Sequence, residues 1–127
     1  MRKWIAVLAF LIMAPLIHKP VQAQTHAAVL TWGASVAGTC SGTPTLTYNV
    51  FRGTTAGGEA ATPINSTGLN SLTYSDTTVV LGTTYFYRVQ ATEVCGNFTL
   101  PSVFSNEVTA VFPSTPTAPT LQAPVVN

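Results

Sequence analysis

Beyond its leader, this chain reads as an all-β antiparallel sandwich, on three observations. Residues 81–91 (LGTTYFYRVQA) place Tyr85, Tyr87, Val89 and Ala91 on one face and Phe86, Arg88 and Gln90 on the other. That alternation of aromatic and β-branched residues is the period of a half-buried strand. About six short runs of this kind recur, separated by Gly, Pro, Ser and Asn breaks. No run of about ten or more residues after the leader has helical spacing. Short strands at such intervals argue for two packed antiparallel sheets.

The leader is residues 1–23. Met1-Arg2-Lys3 is positive, residues 4–17 are apolar, and His18-Lys19-Pro20 breaks the run ahead of Val21-Gln22-Ala23. This is the layout of a secretory signal peptide cut between Ala23 and Gln24. Its apolar run, interrupted by Pro15, falls short of the roughly 20 residues that span a bilayer. The full 127-residue chain has a formal charge of +1, but Arg2, Lys3 and Lys19 leave with the leader. Arg52 and Arg88 then stand against Glu59, Asp76, Glu93 and Glu107, so the charge becomes 2 − 4 = −2. Without a basic patch the chain has nothing to offer a phosphate backbone, and nucleic acid is not an expected partner.

Residues 27–35 (AAVLTWGAS) set Ala28, Leu30 and Trp32 against Val29 and Thr31, a strand whose Trp anchors the core. Residues 36–45 form a Gly/Ser/Thr/Pro loop carrying Cys40. Residues 46–52 (LTYNVFR) point Leu46, Tyr48 and Val50 inward, and residues 53–58 turn. Residues 61–64 read as a short edge strand, since Pro63 is unwelcome in a central one. Residues 71–75 form a strand centred on Tyr74, and residues 76–78 turn into the 81–91 strand. Residues 93–101 are expected as a loop carrying Cys95 and Gly96. Residues 106–112 (NEVTAVF) make the last strand, ahead of a Pro/Thr-rich tail at 114–127.

LTW at 30–32, YNVFR at 48–52, Tyr74 and Asp76 of LTYSD, GTTYFYRVQA at 82–91 and SNEV at 105–108 follow one another in a familiar order. Over residues 26–113 the chain resembles a fibronectin type III domain, in the style of bacterial secreted proteins. The resemblance implies strands B, C, C′, E, F and G, with Trp32 as the core tryptophan of strand B. It places Tyr85 at the tyrosine corner, where the hydroxyl bonds back to upstream backbone. Leu81 stands where the family usually has Pro, and Val79 where it usually has Leu. The family opens with a strand A, for which a domain starting at residue 24 has no room. The two cysteines of a secreted chain are expected to pair. The resemblance supplies the reason for Cys40 with Cys95, since it puts the B–C and F–G loops at one end of the sandwich.

Chemistry is sparse. His26 is the one histidine after the leader, and zinc needs three or four N/S ligands. Glu93 and Glu107 flank one hairpin and are within possible reach of each other, but a working carboxylate pair also needs a cleft. Asp76 is expected to bond local backbone at its turn. No GxSxG, HExxH or phosphate-loop pattern occurs. No catalytic residue, metal or cofactor is expected. The sequons Asn65-Ser66-Thr67 and Asn97-Phe98-Thr99 are read as chance in so Ser/Thr-rich a chain, and no Arg-Gly-Asp occurs. Phe51 and Phe86 are expected to face away from the core, either as scattered surface aromatics or as an apolar patch for a partner or a sugar ring. The tail reads as a disordered Pro/Thr-rich end, with the alternative that Leu121, Val125 and Val126 form a strand donated to a neighbour. The reading is a secreted, non-catalytic module that contacts proteins or a cell surface, extracellular, periplasmic or surface-bound, with no membrane attachment once the leader is cut. The alternatives are a structural subunit assembling head-to-tail, and a carbohydrate-binding accessory domain.

Overall fold

A computed structural model describes residues 25–125, so the leader and Val126 lie outside the described residues. The described residues form six strands and no helix. They are β1 (Ala28–Thr31), β2 (Thr45–Gly53), β3 (Thr73–Asp76), β4 (Thr84–Cys95), β5 (Phe98–Pro101) and β6 (Val108–Val111). Every pairing is antiparallel. β1 and β3 form a two-stranded sheet, and β2, β4, β5 and β6 form a four-stranded one around β4. This two-sheet arrangement is that of a β-sandwich.

The alternation read in the sequence sets the facing. Tyr85, Tyr87 and Ala91 of β4 are buried, as are Tyr48 and Val50 of β2. With Ala28 of β1 they fill the space between the sheets, and Leu30, Trp32, Tyr74, Val89 and Phe112 pack around them. Trp32 meets Tyr48 at 5.7 Å between ring centres, and Tyr85 meets Phe112 at 6.1 Å and 74°.

One buried polar group ties the sheets together. Asp76 ends β3, and its side chain is only 1% exposed. Its Oδ2 accepts from Arg52 Nη1 of β2 at 2.6 Å and from the Tyr87 hydroxyl of β4 at 2.9 Å. Its Oδ1 accepts from the Thr78 N–H at 3.0 Å and from the Thr78 hydroxyl at 2.7 Å. The expected local bond is there, and across the sandwich there is an ion pair besides. Burial alone would push the Asp76 carboxyl up, but hydrogen bonds from Thr78, Arg52 and Tyr87 hold it below the usual carboxylate range. Burial, and after it the hydrogen bond to Asp76, pushes the Tyr87 phenol up. The Arg52 guanidinium also lies 4.8 Å from the centre of the Tyr85 ring.

Two expected elements are corrected. Residues 61–64 form no strand. Pro63 has no N–H to give a ladder, and the chain instead fastens to β2 through scattered bonds at Ala60, Ile64, Asn65 and Leu69. Residues 93–101, expected as a loop, are the tip of a hairpin. β4 runs on to Cys95, which pairs with Phe98 across a Gly96-Asn97 turn. Gly96 has φ 59°, and positive φ at the first turn position is the II′ pattern that suits a twisted hairpin.

The strand directions define two poles. Ala28, Arg52, Asp76, Thr84 and Val111 lie at one, through the 28–76 and 84–111 register pairs and the Arg52–Asp76 ion pair. Thr45, Cys95 and Phe98 lie at the other, where Cys40 and Cys95 are disulfide-bonded with Cα atoms 5.9 Å apart. The chain leaves the body at the first pole. There the Gly82 N–H donates to the Phe112 carbonyl at 2.9 Å, and Gly82, at φ 76°, lies against Ser114.

Candidate binding site

The site begins with how β1 is paired. The Trp32 N–H donates to the Leu72 carbonyl at 3.0 Å, so with the 30–74 and 28–76 register the backbone groups of Ala28, Leu30 and Trp32 face β3. In an antiparallel pair the intervening residues point the other way. The N–H and C=O groups of Val29, Thr31 and Gly33 therefore line a strand edge that no described residue pairs with.

Beside that edge the sandwich is open. Two neighbouring hollows, of about 250 Å³ and 320 Å³, share Trp32, Gly33, Val89 and Ser105. Tyr48 and Ala91 add to one hollow, and Leu30, Tyr87, Val108 and the polar Arg88 and Asn106 to the other. The lining is largely apolar and aromatic. Among its polar atoms, Trp32 Nε1 is buried with no hydrogen-bond partner. A buried donor left unmade costs about 1–3 kcal/mol.

The far wall is a break in the last strand. Thr92 pairs with Pro101 and Tyr87 with Val108, so four residues of β4 (88–91) face six (102–107) of the partner strand. Two serines bridge the mismatch. The Ser102 N–H donates to the Ala91 carbonyl at 2.8 Å, and its hydroxyl accepts from the Ala91 N–H at 3.0 Å. Ser105 does the same with Val89, at 2.8 Å and 3.0 Å. Each hydroxyl takes the place of a strand carbonyl. Val103 and Phe104 are thereby extruded as a bulge bordering the groove.

The aromatic patch expected at Phe51 and Phe86 is not exposed as read. Both point away from the core by alternation, but Phe51 is only 6% exposed and Phe86 is half-buried. Phe104 packs edge-on to Phe51 at 5.1 Å and 90°. The turn after β2 also folds back on this face. Arg88 Nε lies 3.2 Å from Glu59, a charge contact and not a directed hydrogen bond, and its Nη2 lies 3.3 Å from Glu107. Glu107 accepts from the Gly57 N–H at 2.7 Å. That bond first, and with it the Arg88 charge, hold Glu107 below the usual carboxylate range. Gly53 permits the fold-back, because a Cβ there would run into the Gly58 carbonyl. The acidic neighbours in this protein are thus Glu59 and Glu107.

Glu93 sits at the other pole, apart from Glu107. It accepts from the Gly38 N–H at 2.8 Å and lies with Cys40 and Cys95 in a cluster whose ligand atoms are within 4.8 Å. The disulfide leaves no thiolate there to bind a metal. His26 is half-buried just ahead of β1. Tyr74 is half-buried against the core, and the Tyr85 hydroxyl accepts from the Val80 N–H at 3.1 Å. In the tail, Leu121 is 96% and Val125 89% exposed, and Val126 is outside the described residues.

Asn65 is a residue the sequence reading missed. It is buried, with Oδ1 accepting from the Val50 N–H at 2.7 Å and Nδ2 donating to the Thr67 carbonyl at 2.8 Å and to Asn49 Oδ1 at 3.1 Å. The signal that could have found it is an Asn in a loop beside Pro63, where a side-chain amide does backbone work. No family model, curated protein or solved structure matches this chain.

Proposed function

We propose that this chain is a secreted, non-catalytic module of the fibronectin type III kind that works by contacting extended segments of other proteins. The observation that carries it is the edge of β1, unpaired among the described residues and lying against a largely apolar groove. An extended peptide added to such an edge gains backbone hydrogen bonds, while its alternate side chains find places in the groove. The strand order supports the finer fold reading, with β1 and β3 standing for B and E, and β2, β4 and the broken β5–β6 for C, F and G. The Tyr85–Val80 bond supports a tyrosine corner. The ionisable groups with shifted proton affinity are each engaged in structural bonds. The carbohydrate reading loses its platform, because Phe51 is packed beneath Phe104 and offers no flat ring to a sugar.

The test is to probe the chain from residue 24 onward on a peptide array and on a glycan array, beside a Trp32→Ala variant checked for folding by circular dichroism. The expected result is peptide binding that the variant loses. Glycan binding that the variant retains, with no peptide binding, overturns the proposal.

A further inference from the structure

We infer that a second copy of this chain supplies the strand that β1 lacks: residues 121–126 of one molecule pair with the free edge of β1 in the next. This rests on the contact-module reading, deepening it by naming the partner.

The tail is built for an edge. It leaves the body at Ser114, and Leu121 and Val125 stand almost wholly in solvent. Residues 121–126 (LQAPVV) alternate Leu121, Ala123 and Val125 with Gln122, Pro124 and Val126. A six-residue strand is about 20 Å long, enough to run along residues 28–33. With Leu121, Ala123 and Val125 bonded to Val29, Thr31 and Gly33, Pro124 falls where no N–H is required, and the side chains of Gln122 and Pro124 face the groove. Neither residues 114–127 nor residues 27–35 contain a charged side chain, so no like charge opposes their approach.

Direction decides between self and neighbour. β1 runs from the Ala28 pole towards the Cys95 pole, and the tail departs from the Ala28 pole. Laid on its own β1, the tail would run parallel to it, in the weaker pairing. Entering the next molecule from its Cys95 pole, it runs antiparallel to β1, as β3 does on the other side. Residues 114–120 (STPTAPT), at about 3.1 Å per residue when Pro-stiffened, bridge one body to the next. The contact uses different surfaces on its two sides, so it does not close on itself and propagates as a chain of molecules.

Two half-blocked variants test this. The Thr31 N–H faces the free edge, so Thr31→Pro blocks acceptance without removing a β1–β3 bond. Deleting residues 121–127 removes donation. The chain from residue 24 is expected to grow in mass with concentration by light scattering, and each variant alone to stay monomeric. Mixed, the two variants form a one-to-one complex. In it the amides of Val29 and Thr31 of the tail-deleted partner exchange about tenfold or more slowly. Pro124→Asp in the donor, which sets a charge against the apolar groove and leaves the folded body untouched, is expected to abolish the complex. A monomeric mixture overturns strand donation, as does a full chain that stays monomeric with the Val29 and Thr31 amides already protected. Peptide-array binding by the tail-deleted protein then tells whether the contact-module reading stands without it.

Discussion

The outer edge of β2 and the free edge of β1 present the same kind of backbone groups and meet opposite fates. Along β2, Tyr48 exchanges both bonds with Leu69, at 2.8 and 2.9 Å. The Val50 N–H goes to the Asn65 side chain at 2.7 Å, its carbonyl accepts from Ile64 at 2.8 Å, and the Arg52 carbonyl accepts from Ala60 at 3.0 Å. An irregular loop thus closes a sheet edge without becoming a strand, because one asparagine supplies the acceptor that a strand backbone would have given. Along β1, Val29, Thr31 and Gly33 meet no such loop among the described residues. Edges left this way are what protein chains normally cover or blunt. The difference separates a sheet whose edge is finished internally from one whose edge stays open among the described residues.

The largest effect comes from removing the frame that both edges share. Asp76→Ala leaves Arg52 without its partner between the sheets, and loss of one member of such a pair costs about 3–5 kcal/mol. A urea titration should show the midpoint fall accordingly. The same carboxyl sets an acid limit. Its native value lies below the unfolded one, so its stabilisation is complete above pH ~4 and fades as pH drops through the lower native value. Asp76→Asn should flatten that acid limb, read from melting temperature against pH.

Opening the closed edge comes next. Asn65→Ala strands the N–H of Val50, which is 0% exposed, and is expected to cost about 1–3 kcal/mol in the same titration. Tyr85→Phe also orphans an N–H, that of Val80, but Val80 is 60% exposed and water can replace the hydroxyl. Its cost should be nearer 1 kcal/mol, against about 0.5 kcal/mol or less for Thr84→Ala. The smallest effect is expected at the open edge itself. Val29→Lys points into solvent and should leave stability within about 0.5 kcal/mol of wild type. A loss of several kcal/mol there would mean that the β1 edge is covered after all.

The two sequons divide along the same line. Expressed in a host that glycosylates secreted proteins, Asn97, exposed in the hairpin turn, should accept a glycan, while buried Asn65 should remain bare by intact mass.

Alternation made the strands and their inward faces legible, because period two is a local property of the chain. Tyr85, Tyr87, Tyr48 and Trp32 fall in or against the core for that reason. What alternation leaves open is which elements cover a face. Phe51 was legible as pointing outward, but Phe104 reaches it from a distant part of the chain. Asp76 was legible as a turn residue, yet Arg52 and Tyr87 lie 24 and 11 residues away. The serine-bridged mismatch at 102–107 is a matter of register, which becomes visible only when β4 is laid beside it. The groove itself follows from the arrangement of two sheets, and of its walls Trp32 and Tyr48 were legible beforehand only as core residues.

The Cys40–Cys95 bond has a mechanical consequence. Pulled from residue 25 and from the tail, the chain transmits tension through the disulfide, bypassing everything between the two cysteines. β2, β3 and β4 lie inside that covalent loop, while β1, β5 and β6 lie outside it. Load can strip β1 from β3 and peel β5 and β6 from β4, but it cannot draw out the β2–β4 ladder. Under stretch the protein has a short, fixed reach, and half of its sheet recoils intact.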